Sequence, residues 1–144
     1  MDVTGYFSSE AVDANGAGLL YNALAAPVRL LDTRAGSQAC NMPSAPLVGN
    51  TETEQIATKA CTGVPANALA VVGNATVVNF ISGGGFVTLY PSNATRPNAS
   101  NLNFTANHIV PNAFVVGLGA NGGFEIFVSA TTHFIVDVTG FFAP

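Results

Sequence analysis

Thr132–Phe142 reads THFIVDVTGFF, and its second half has a near-copy at the other end of the chain: DVTGFF at Asp137–Phe142 against DVTGYF at Asp2–Phe7. Strand alternation predicts Val138, Gly140 and Phe142 on one face and Asp137, Thr139 and Phe141 on the other. The first copy repeats the pattern, with Val3, Gly5 and Phe7 opposite Asp2, Thr4 and Tyr6. Phe134, Ile135 and Val136 extend the later copy with residue types that suit a pleated, largely buried surface. Two segments this alike want the same slot in a sheet. Either the fold has two equivalent slots, or one copy belongs to a neighbouring module, or one is donated to another subunit.

Composition fits a β protein that manages with little charge. Charged residues are 8% of the 144 and hydrophobic ones 49%, with a mean hydropathy of +0.40. No apolar run approaches the ~20 residues of a membrane-spanning helix, so no membrane insertion is expected. A net charge of −4 with four basic residues lacks the basic patch that nucleic acid requires. Met1 runs straight into a strand pattern, without the n-region and h-region of a leader.

Working inward, residues 1–8 read as a repeat-boundary strand, residues 9–26 as a linker with a first short element (LLYNALAA), and residues 27–144 as the folded domain. Pro27 opens PVRLLDTR, a strand entering a loop, and Glu52–Thr58 reads as an edge strand whose charges discourage pairing. From Val64 two segments look duplicated. With an offset of 38 residues (115 minus 77), VVNFISGGGFVTLYPS at Val77 lies over VVGLGANGGFEIFVSA at Val115 without a gap. Each carries a glycine-rich turn between apolar runs, the signature of a hairpin. The expected fold is all-β, an antiparallel sandwich of roughly ten short strands with a duplicated hairpin.

Sites are sparse. Cys40 and Cys61 have neither CxxC nor Cys/His metal spacing, which points to a disulfide, two buried thiols being the alternative. Histidines are His108 and His133 only, and no GxSxG or HExxH occurs, so no catalytic residue, metal or cofactor is expected. Arg29, Asp32 and Arg34 hold much of the charge in one short span. Alternation puts Asp32 and Arg34 on one face with Arg29 pointing away. They read as a structural polar anchor, the alternative being a sugar or carboxylate site. Tyr6, Tyr21 and Tyr90 are candidates for a sugar-stacking platform, and sequons stand at Asn74, Asn93, Asn98 and Asn103.

PVRLLDTR at Pro27–Arg34, GFVTLYPS at Gly85–Ser92, ASNLNF at Ala99–Phe104 and THFIVDVTGFF at Thr132–Phe142 together resemble a β-rich accessory module of secreted bacterial proteins. That module follows extracellular enzymes or repeats in tandem, and it commonly ends on a DVTGYF-like strand. The resemblance implies export and a non-enzymatic role, and it supplies no catalytic residues. Pro111 departs from the pattern, where a small non-proline residue is usual, at a point that bears on the register of His108–Asn112. The reading is an extracellular or cell-surface structural module whose partners are other copies of itself, head to tail, in a fibre, stalk or tandem array. The alternative is a carbohydrate- or cell-wall-binding module with a polysaccharide partner. In a third reading, Asp2–Phe7 is the last strand of a preceding repeat.

Overall fold

The structure is a computed structural model and describes residues 18–79 and 81–144, so Asp2–Phe7 lies outside the described residues. Among the described residues eight strands form, against roughly ten expected for the whole chain: β1 (Leu20–Asp32), β2 (Thr51–Ile56), β3 (Ala70–Asn79), β4 (Gly84–Pro91), β5 (Leu102–Thr105), β6 (His108–Gly117), β7 (Gly123–Val128) and β8 (His133–Ala143). They build two four-stranded antiparallel sheets, ordered β1-β8-β3-β6 and β2-β7-β4-β5, stacked as a β-sandwich. The inward residues explain the stacking. Leu30, Val71, Val77, Phe134, Val136 and Val138 of the first sheet meet Val87, Leu89, Phe124, Ile126 and Val128 of the second in one buried cluster. Phe114 and Phe124 join the sheets with ring centroids 6.2 Å apart.

The duplicated segments are not hairpins. β3 and β4 lie in different sheets, as do β6 and β7, so each glycine-rich turn carries the chain across the sandwich. A turn residue with positive φ serves a crossing as well as a reversal, and the glycines alone do not distinguish them. Gly122 (φ 73°) shows the requirement, since a Cβ there would stand 2.2 Å from the Thr58 hydroxyl oxygen. The gapless alignment also fails on parity. It sets inward Val77 and Val87 over outward Val115 and Glu125, and a one-residue slip turns a strand over. The two arches nevertheless pack side by side, β3 against β6 and β4 against β7. Among the described strands only β4 and β5 are consecutive and paired with each other.

β1 crosses residues 26 and 27, where the sequence divides linker from domain. Its pairing with β8 shifts between Ala23 and Val28, at a bulge that absorbs Pro27 on this edge strand. Pro111 also sits on an edge strand, opposite Thr76, and the β3–β6 register runs through it unbroken. β2 is an edge strand, as its charges predicted.

Candidate functional site

The DVTGFF copy forms the second half of β8, an interior strand. It pairs with β1 on one side, from Ile135 opposite Asp32 to Ala143 opposite Leu20, and with β3 on the other, from His133 opposite Val78 to Phe142 opposite Ala70. Simple alternation breaks within it. Between Val72 and Gly73 the β3 register shifts so that Thr139 is left over, a bulge that advances the phase by one. Val138 and Phe141 consequently face the core, while Phe142 turns outward against Tyr21, with centroids 5.5 Å apart. Gly73 makes the bulge possible, because a Cβ there would stand 2.2 Å from the Asp137 carbonyl oxygen. Gly73→Ala is therefore expected to lower stability by roughly 2 kcal/mol, the range of an overpacked site, in a urea titration.

Asp137 joins this strand to the charged span, a link the sequence did not reveal. The Arg29 guanidinium donates to both Asp137 oxygens, at 2.8 Å from Nε and 3.1 Å from its second amino group, and from its first to Asp32 Oδ2 at 3.2 Å. Arg34 completes the cluster, with Nε 3.0 Å from Asp32 Oδ1, a terminal amino group 2.7 Å from Oδ2, and its backbone N–H 3.1 Å from Oδ1. Arg29 does not point away as alternation predicts. A second β1 bulge, between Arg29 and Leu31, brings it to the face of Asp32 and Asp137. Bonds from the Arg34 side chain hold the Asp32 carboxyl below its usual range against the opposing effect of burial, and the Asp137 contact raises Arg29. The arrangement is a closed set of charge-assisted bonds where β1 leaves the sheet, made between the charged side chains themselves with one backbone amide added. A shallow open depression crosses it, lined by Pro27, Arg29, Gln38, Asn74, Asp137 and Thr139.

Cys40 and Cys61 form a disulfide. Backbone bonds from Cys40 to Arg29 and from Asn41 to Leu30 lay the Cys40 segment along β1, and Cys61 lies in the short 3-10 turn Ala60–Thr62. The bridge therefore fastens the loop after β1 to the loop after β2.

The two described tyrosines share no face. Tyr21 is on the outer face of the first sheet, Tyr90 is buried on the outer face of the second, and Tyr6 lies outside the described residues. His133 Nδ1 meets the Thr33 hydroxyl at 3.0 Å, and His108 Nδ1 meets Thr105 and the Ala106 carbonyl. Among the described residues no group of three or more His, Cys, Asp or Glu side chains is placed to hold a metal.

On the outer face of the second sheet Glu54 stands opposite Glu125, which stands opposite Tyr90. Burial, then the charges of Glu54 and Glu52, raise the Glu125 carboxyl above its usual range. The folded protein thus keeps a proton there that the unfolded chain has lost, and it gains stability as pH falls through the folded value toward about 4.5. Asp32 has the opposite sign. Its contribution is present above about 3.8 and is lost as pH falls through the lowered folded value. Thermal midpoints measured from about pH 3 to 8 are expected to peak in mild acid. Glu125→Gln should remove the rise on the acid side and gain roughly 0.5 kcal/mol at neutral pH.

No protein-family model matches the chain, and no curated protein does.

Proposed function

We propose that this protein is an extracellular structural module that assembles head to tail into a cell-surface fibre, stalk or array, each copy adding Asp2–Phe7 to an open sheet edge of the next. The observation that carries the reading is the position of β8. The sequence shared with Asp2–Phe7 is, in its described copy, an interior strand hydrogen-bonded on both flanks, while the first sheet ends in strands bonded on one flank only. A strand added to an edge gains a row of backbone bonds. Because β8 already fills the matching slot, addition at an edge requires no displacement. The disulfide and the absence, among the described residues, of a helix long and apolar enough to cross a membrane are compatible with export. Low charge lets copies pack with little repulsion.

Both sheets form from residues after Gly18, so removing residues 1–8 is expected to leave a folded monomer and abolish polymerisation. A truncated chain that still polymerises rules out strand addition.

One feature favours the carbohydrate alternative. Phe86 is 39% exposed beside the loop that carries Asn98 and Ser100, with Asn103 across the groove, and an aromatic face flanked by amides suits a sugar ring. Retention on insoluble cellulose, chitin or peptidoglycan that Phe86→Ala abolishes would support it.

A further inference from the structure

The head-to-tail reading leaves open which edge receives the strand, and the inference drawn here rests on that reading. The described sandwich has four edge strands: β1, β6, β2 and β5. β2 carries Glu52 and Glu54 with Glu125 on the adjoining strand, which would set three carboxylates near the incoming Asp2. β5 is four residues long, too short for a six-residue donor. β1 is broken by Pro27 and two register shifts. β6 differs. After Pro111 it offers Asn112–Gly117 (NAFVVG), six residues without proline or charge, whose pairing with β3 on the inner side has no bulge.

The internal duplication points to the same edge. Exchanging the β3–β4 arch with the β6–β7 arch carries the place of β5, beside β4, onto the place of β2, beside β7, and both are filled. The same exchange carries the place of β8, beside β3, onto the outer flank of β6, where no strand stands among the described residues. The sandwich therefore has two positions equivalent to that of β8 and one described β8. Because the stretch of β3 facing Asp137–Phe142, Ala70 to Asn74, maps onto the Pro111 half of β6, the exchange selects the strand and the lack of proline selects Asn112–Gly117 within it. The chain has a second copy of the β8 sequence, Asp2–Phe7.

We propose that the Asn112–Gly117 edge of β6 receives Asp2–Phe7 of a second copy as an added antiparallel strand. Paired without a bulge, Val3, Gly5 and Phe7 then continue the core side, beside inward Phe114 and Val116, and exposed Ala113 and Val115 gain a neighbour on the outer side. Pro111 marks the end of the accepting segment, because it offers no N–H to an incoming strand. The donor leads into β1, at the opposite edge of the sheet from β6, so donor and acceptor differ and the contact is head to tail, propagating as an open filament unless the rotation between copies closes a ring. Residues 8–17 span at most ~35 Å when extended, against ~15 Å for the width of four strands. The tether thus reaches a second copy, and it also reaches β6 of its own copy, so the experiment separates the two.

Two full-length variants test this. One disables the donor (Val3→Asp with Gly5→Pro), and the other disables the acceptor at two exposed positions (Ala113→Lys with Val115→Lys). By light scattering the unmodified chain is expected to form multiples of 14.6 kDa. Each variant alone should stay monomeric, and an equimolar mixture should give one species of twice that mass, because a single donor and a single acceptor remain competent. Polymerisation by the lysine variant alone overturns the β6 assignment while leaving strand addition standing. A solitary unmodified chain overturns both. Should the lysine variant not fold, hydrogen exchange on the unmodified polymer decides the matter. Amides within 112–117 slowed relative to the donor variant support the assignment, and unchanged exchange overturns it. A monomer with those amides slowed means pairing within one copy, which also overturns it.

Discussion

Asp32→Ala is expected to cost about 3 kcal/mol of folding stability, the lower end of the range for removing one partner of a buried ion pair. The carboxylate is fully buried and accepts four bonds at 2.7 to 3.2 Å from Arg29 and Arg34. The lower end applies because the two guanidinium groups are 38% and 42% exposed and recover part of their hydration once the carboxylate is gone. Asp32→Asn retains the shape and an acceptor oxygen, so it should cost less. Urea midpoints at neutral pH measure both, and the acid limb supplies a second reading. The wild-type chain loses the Asp32 contribution as pH falls below about 3.8, whereas the alanine variant has none to lose and its profile flattens there. A loss under 1 kcal/mol would mean that the cluster is incidental to the fold.

Removing the disulfide is expected to cost nearly as much. For a loop closed across 21 residues the chain-entropy treatment gives about 3 kcal/mol. In a protein of this size that corresponds to a fall of roughly 10 °C in thermal midpoint. The bridge also organises a segment with little sheet of its own. Between β1 and β2 the chain touches strands through isolated bridges, Leu31 with Asn41 and Leu47 with Thr132. A double variant, Cys40→Ser with Cys61→Ser, should therefore lose protection of the amides of Cys40 and Asn41 before the sheets unfold. Unchanged exchange there would show that the backbone bonds to β1 suffice without the bridge.

Those two clusters show what the sequence makes legible and what it conceals. Cysteine spacing and the lack of metal partners pointed to the bridge, and alternating apolar residues marked the segments of β3, β4, β7 and β8. Facing was harder to read. A bulge costs one residue and inverts everything beyond it, so Arg29 and Phe141 each ended on the face opposite to the one alternation assigns. Neither bulge has a mark of its own in the sequence, although Gly73, opposite the second, is the residue its close approach requires. The glycine-rich turns likewise announced a change of direction without saying whether the chain returns within one sheet or crosses to the other. Asp137 was read as one residue of a strand, and its partnership with Arg29 depends on β1 lying beside β8, a pairing across 108 residues that no local pattern encodes.

The measurement that bears most directly on assembly is the mass of the full-length chain in solution as its concentration is raised. Head-to-tail strand addition predicts a mass that climbs through multiples of 14.6 kDa and falls back to one copy when residues 1–8 are removed. A mass that stays at one copy across the whole range contradicts it.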